Sequence, residues 1–193
     1  NPGLLCRMID FGTKNMARGP AMSRQQAIDA LEAGIEVVEA EMSEGLDIVA
    51  TGDMGIGNTT ASSAICAAIT GEPVEKVTGR GAGIDDEQLM HKVDIIKRAL
   101  EINQPDSKDS IDVLAKVGGF EIGGLAGVIL AAAAHRIPVV IDGFISGAAA
   151  LIAAGLSPQV EDYLIAAHVS AEAGHRVLLD FLGLRPLLNL EMR

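Results

Sequence analysis

A chain of 193 residues that is 49% hydrophobic has enough material for one well-buried core, or for one domain and part of another. Its net charge of −11 leaves no Lys/Arg footprint for neutralising phosphates, which argues against a nucleic-acid partner. With 3% aromatic residues and no Trp, the core must be built from Ala, Ile, Leu and Val, and helices must pack closely over small side chains.

From the N-terminus, residues 1–22 show no clear period and read as an extended opening segment. Ser23 followed by Gln26 is a capping-box signature. Ile28, Leu31, Ile35, Val38 and Met42 then recur at helical spacing, and Gly45 is placed to end the helix. A short apolar strand is expected at 46–51, then a helix from about Thr59 to Thr70 closed by Gly71. The run Thr78-Gly79-Arg80-Gly81-Ala82-Gly83 makes a second glycine-rich loop. It leads into a helix from about Asp85 to Asn103, whose first-turn acids suit the helix dipole. A polar linker (105–110), a short helix (111–117) and a small-residue helix (122–134) follow.

Pro138 to Ile141 reads as a second strand ending at Asp142-Gly143, with a helix at about 145–154. Tyr163 to Ala167 is a third strand and 172–182 a further helix, and 186–193 carries no clear pattern. The apolar run 122–156 is cut by His135-Arg136, Pro138 and Asp142 into pieces shorter than the roughly 20 residues of a membrane span, so a buried helix–strand–helix unit is expected and no membrane association. Alternating strands and helices predict an α/β fold, a doubly wound and mostly parallel sheet flanked by helices, over 46–185. Residues 1–45 then belong to part of a smaller helical subdomain.

In such a fold ligands bind beyond the carboxyl ends of the strands. Three polar clusters stand at those ends: Asp53 with its glycines, Asp142-Gly143, and His168 to Ser170. Gly52 to Thr59 has the glycine spacing of a P-loop, but Asn58 stands where the lysine belongs, which removes the charge that steadies the β- and γ-phosphates. Glycines before a helix start still let backbone N–H groups face an anion, and Asp53 adds a carboxylate that phosphate cradles do not need.

In the second loop Gly79, Gly81 and Gly83 allow close backbone approach and Arg80 adds charge. Lys92 is either a solvated surface residue or an anion ligand; Asp142 is either a loop acid or a holder of ligand hydroxyls. Ser170 either donates to a phosphate or caps the next helix, and His91, His135 and His175 read as ordinary helix residues. No His/Cys/Asp cluster has metal spacing, so neither metal nor cofactor is expected. Cys6 and Cys66 are too few and too far apart for a disulfide framework and read as reduced thiols, Cys66 in the core. Nothing resembles a signal peptide, and a cytoplasmic protein is expected.

The run GDMGIGNTTASSAI (52–65) resembles the signature of the nicotinate-nucleotide–dimethylbenzimidazole phosphoribosyltransferase family of cobalamin lower-ligand assembly. The resemblance continues through ARGPAM (17–22), TGRGAG (78–83), the helix carrying Lys92, VVIDGFISGAAAL (139–151) and AAHVSAEAGH (166–175), and so covers the whole chain. It implies transfer of the phosphoribosyl group from nicotinate mononucleotide to 5,6-dimethylbenzimidazole, with release of nicotinate, by a homodimer. Asp53 stands where the family has an acidic residue, often Glu, and is the implied catalytic residue of this chain. Gly55, Gly57, Asn58, Thr59, Gly79, Arg80, Gly81, Gly83, Lys92, Asp142 and Ser170 are the implied or candidate ligand-binding residues.

The family's principal base is a Glu in an LGEGTGA-like segment after LNLEMR, so 186–193 reads as the start of that segment and the chain as the core of a longer enzyme with little or no activity of its own. Two other readings stay open on the residues alone: a non-catalytic nucleotide-binding module, and a degenerate P-loop relative that binds ATP.

Overall fold

The computed structural model describes residues 4–192. The helix α1 (Arg24–Glu41) starts on the expected capping box, with Ser23 Oγ accepting from the Gln26 amide and the Gln26 side chain accepting from the Ser23 amide. A single 3-10 turn over Met42–Glu44 separates it from Gly45, so the glycine ends that turn and not the α-helix. The strand β1 (Val49–Thr51) is half the length expected. Its partner β2 (Val139–Ile141) offers only three residues between Pro138, which has no N–H to give, and Asp142; Val49 N–H is met by the Pro138 carbonyl and pairing stops there.

The helix α2 (Thr59–Thr70) has the expected bounds and ends on left-handed Gly71. A one-turn helix α3 (Val74–Val77), not anticipated, precedes the second glycine loop. Next come α4 (Asp86–Asn103), capped by a reciprocal Asp85–Gln88 pair, α5 (Ser110–Val117) and α6 (Phe120–Ala134). After β2 the chain forms α7 (Gly143–Leu156), a 3-10 segment (Pro158–Tyr163), β3 (Leu164–Ala166), β4 (His168–Ser170), α8 (Ala173–Phe181) and β5 (Leu188–Met192). The stretch without a readable pattern is therefore β5, which pairs in parallel with β4.

The main sheet is parallel in the order β1-β2-β3, with Thr51, Ile141 and Ala166 aligned across its last rung. Helices flank it, as the alternation predicts. The apolar run 122–156 becomes α6–β2–α7, the buried heart of the molecule, with Ile122, Ile129, Leu151 and Ile152 out of solvent. No helix of the described residues is long and apolar enough to cross a membrane. Cys66 lies in this core, and burial pushes its thiol up to about 12, which leaves it inert.

Small residues bring α1 and α6 into backbone contact. A Cβ on Gly127 would overlap the Leu31 carbonyl oxygen, and one on Gly34 would overlap that of Gly124. Gly127→Ala should therefore destabilise the fold by about 2 kcal/mol, the usual range for overpacking a tight interface. Gly19→Ala, with nothing within 4 Å, should stay within about 0.5 kcal/mol of the parent in the same urea titration.

Candidate functional site

The three aligned strand ends deliver Asp53, Asp142 and His168 to one edge of the sheet, where they line a cleft of about 410 Å³. Thr59 from the start of α2, Gly81 from the second glycine loop, and Ser170 and Glu172 from the approach to α8 complete it. Of the residues singled out in the sequence, Asp53, Thr59, Gly81, Asp142 and Ser170 thus meet in one cavity.

Lys92 reaches the edge of this cleft from α4. Its Nζ donates to Thr59 Oγ1 at 2.8 Å and to the Gly79 carbonyl at 3.0 Å, which ties the two glycine loops together. An ammonium has three protons, so one donor remains for a ligand. Burial lowers the Lys92 pKa, and the Glu172 charge opposes that shift. Gly81 is left-handed (φ +55°), and its missing side chain leaves the Thr59 hydroxyl and the Lys92 ammonium open beside it. No side chain caps α2, so its N-terminal end is available to an anion.

Asn58, in the P-loop lysine's place, does something different. Its Nδ2 donates to Asp53 Oδ2 at 2.6 Å and so aims the carboxylate. Gly55 leaves the space for this pair, since a Cβ there would sit 2.6 Å from Asn58 Nδ2 and 3.0 Å from Asp53 Oδ2. The cation comes instead from α4, 33 residues on from Thr59. Gly57 and Asn58 themselves line a neighbouring groove with Phe120 and Glu121. Arg80 is not brought in: its guanidinium turns to Asp86 and to the Ile84 carbonyl, and Gly83 closes the same turn on the Arg80 carbonyl.

Three residues of the site, Glu121, His175 and Glu172, were not legible as such, and His168 stood out only within its strand-end cluster. Glu121, at the start of α6, faces the Asp53 turn; burial raises its pKa, the Asp53 charge adds to this, and Asn58 opposes it. His168 holds Asp142, with Nδ1 3.0 Å from Oδ1. His175 is buried, 1% exposed, and its Nδ1 accepts the Ser170 amide at 2.7 Å, so it is a brace for the strand end and not an ordinary helix residue. Ser170 Oγ in turn accepts the Glu172 amide at 3.2 Å, the capping role weighed for it. Glu172 lines the cleft and buries Oε2 without a donor. The strand-end cluster His168 to Ser170 and the AAHVSAEAGH motif marked this stretch, and neither separates bracing residues from lining ones.

On the far side of Asp53 a second cleft of about 430 Å³ is mostly apolar, lined by Met8, Val37, Phe120, Leu125 and Val128 together with Asp53 and Glu121. Asp53 thus stands between a polar cleft and an apolar one. No group of three or more His, Cys, Asp or Glu among the described residues could hold a metal.

Desolvation foremost, with the neighbouring His168 second, lowers His175 from 6.5 to about 4, so it is neutral when folded and charges on unfolding. Because its folded pKa lies below the unfolded one, its contribution is fully present above about pH 6.5 and is lost as pH falls toward about 4. Urea titrations should show about 3 kcal/mol lost across that window, a slope that His175→Gln should largely remove.

Residues 3–193 match the family described as "Phosphoribosyltransferase". The chain is 69% identical over 190 residues to a nicotinate-nucleotide–dimethylbenzimidazole phosphoribosyltransferase of Desulforudis audaxviator, covering 98% of this chain and 54% of that protein. It is 60% identical over 193 residues to one of Dehalococcoides mccartyi, covering 100% and 55%. The crystal structure of CobT from Thermus thermophilus superposes with a TM-score of 0.95 at 45% identity, covering 100% of this chain and 57% of that one. The chain thus spans about half the length of the curated relatives it matches.

Proposed function

This chain belongs to the nicotinate-nucleotide–dimethylbenzimidazole phosphoribosyltransferase family, and on that premise we propose that it carries the phosphoribosyl site of such a transfer. The substrates are nicotinate mononucleotide and 5,6-dimethylbenzimidazole; the products are α-ribazole 5′-phosphate and nicotinate. The observation that carries this reading is the placement of Asp53 between a polar cleft bordered by a half-buried ammonium and an apolar cleft.

The phosphate goes to the pocket made by the remaining Lys92 donor, the Thr59 hydroxyl, Gly81 and the open end of α2. Asp142, steadied by His168, and Ser170 stand along the same wall for the ribose. The apolar cleft offers the incoming flat base a desolvated seat. A base nitrogen attacks C1′ from the face opposite nicotinate, which leaves with the electron pair of the broken C–N bond, so the configuration at C1′ inverts. Positive charge develops on the ribose as that bond lengthens, and the Asp53 carboxylate, aimed by Asn58, lies where it stabilises that charge. The second nitrogen of the base gives its proton to a general base. Holding both partners across one carboxylate supplies the rest through positioning.

The acid-rich cleft suits a reaction whose transition state is cationic better than one that gathers phosphate charge. Asp53, Asp142 and Glu172 line it, and among the described residues no Lys or Arg does, Lys92 standing at its edge. A homodimer in the cytoplasm completes the proposal, on the family resemblance and the reduced thiols, one exposed and one buried.

Calorimetry should find nicotinate mononucleotide bound without metal and in preference to magnesium–ATP; the reverse preference would sink the reading. Lys92→Ala should weaken that binding by about 10- to 100-fold, the worth of a hydrogen bond to a charged group. In a chromatographic assay of α-ribazole 5′-phosphate, Asp53→Asn should lower kcat by about 100-fold with the nucleotide affinity little changed.

A further inference from the structure

Glu172 is the one carboxylate of the cleft that buries an oxygen with no donor. Asp53 Oδ2 takes the Asn58 amide and Asp142 Oδ1 takes His168, whereas Glu172 Oε2 has no hydrogen-bond partner among the described residues. An uncompensated buried carboxylate oxygen is expensive, so a nearby positive charge is its natural counterweight. That charge is the Lys92 ammonium. The two are joined through Gly79: its carbonyl accepts Lys92 Nζ at 3.0 Å, and a Cβ on Gly79 would overlap Glu172 Oε2. Glu172 is also the residue before α8, and its own amide is held by Ser170 Oγ. Two residues on, Gly174 repeats the close approach, where a Cβ would lie 2.5 Å from the Val77 carbonyl oxygen. The second glycine loop, at Gly79, and the end of α3 just before it, at Val77, are thus both seated on the start of α8.

We propose that Glu172 is a positioning residue for Lys92: its carboxylate, wedged against Gly79, seats the second glycine loop and sets a negative charge opposite the ammonium that receives the phosphate. The inference rests on the phosphate role given to Lys92 above. Lys92 is faced from α2 by the Thr59 hydroxyl, from the loop by the Gly79 carbonyl and from α8 by Glu172, while Asp53, Asp142 and His168 are the other titratable groups of the cleft. Thr59 and Gly79 are neutral acceptors, so the charge opposition falls to Glu172. Glu172 has no contact with the reacting atoms in this scheme. It acts through Lys92.

The test begins without any ligand. The titration of Lys92, followed by NMR of 13Cε-labelled lysine and assigned with Lys92→Arg, should shift down by about one pH unit in Glu172→Gln, which keeps the shape and removes the charge. An unshifted titration overturns the proposal, whatever the fate of the phosphoribosyl reading. Calorimetry with nicotinate mononucleotide across pH 6–10 then reads the consequence. The alkaline loss of affinity should begin about one unit lower in Glu172→Gln than in the parent, with the neutral-pH affinity down by about threefold or more.

Gly79→Ala separates seating from general disruption. It should weaken nucleotide binding about tenfold in the parent and by less than about twofold when added to Glu172→Ala, because the carboxylate it strikes is then gone and only the Ala173 amide nitrogen, at 3.2 Å, stays close. Equal losses in both backgrounds would overturn the wedge. Far-UV circular dichroism confirms that each variant is folded before it is read. A parent that titrates as described but binds no nicotinate mononucleotide would retain the Glu172–Lys92 coupling and bring down the functional reading alone.

Discussion

Three rungs of parallel pairing between β1, β2 and β3 set the position of nearly everything polar in this molecule. The register aligns Thr51, Ile141 and Ala166, so the residues that follow each strand emerge side by side. A shift of one residue in any strand would turn its buried side chains outward and carry its strand-end residue out of the cleft. The register is held by α6 and α7, which are rich in Ala and Gly; α7 is buried along most of its length and α6 along one side. Small side chains permit this closeness, and the α1–α6 contact, where backbone meets backbone at Gly34 and Gly127, is its extreme case. Rigidity in the core is what a cleft made of loop residues needs, because those residues have little secondary structure of their own to keep them in place.

The electrostatics of the cleft follow from that arrangement. A P-loop gathers phosphate charge with a lysine in the loop itself. Here that place is taken by Asn58, which spends its amide on Asp53, and the ammonium arrives from α4. The result is a positive point at the border of the cleft and carboxylates over the rest of it. In the proposed reaction the ligand's phosphate is a handle and its anomeric carbon is where positive charge develops, and the two ends of the site differ in the same sense. The bracing by His168 and His175 belongs to this pattern. His175 spends its one acceptor nitrogen on the Ser170 amide and stays neutral when folded, so it fixes the strand end without adding charge.

Local features were readable in the chain wherever the physics is local. The capping box at Ser23 and Gln26, the bounds of α2 and its glycine stop, and the burial of the 122–156 run follow from periodicity and backbone preference over a few residues. Strand lengths were less so. β1 is cut short by Pro138 on another strand, and β5 has no alternation because its pairing with β4 is set by where the chain returns. Arg80 looked like a ligand contact because of its loop, yet Asp86, six residues on, was a nearer partner. Glu121, Glu172 and His175 carried no signal of their own. An acid at a helix start is equally at home as a dipole partner, and a histidine in an amphipathic helix is unremarkable, until another element packs against it.

By itself the sequence determined the class of the fold, the order of its longer helices and of the three strands of the main sheet, and the glycine turn with its carboxylate, because these depend on periodicity, propensity and spacing within one segment. The motif runs also determined the family. Only the tertiary structure decided which of the candidates share a cavity, that the ammonium serving the first loop comes from α4, and that Asn58 aims Asp53. Those outcomes depend on distances between segments tens of residues apart, and such distances are set by the packing of α6 and α7 under a three-stranded sheet.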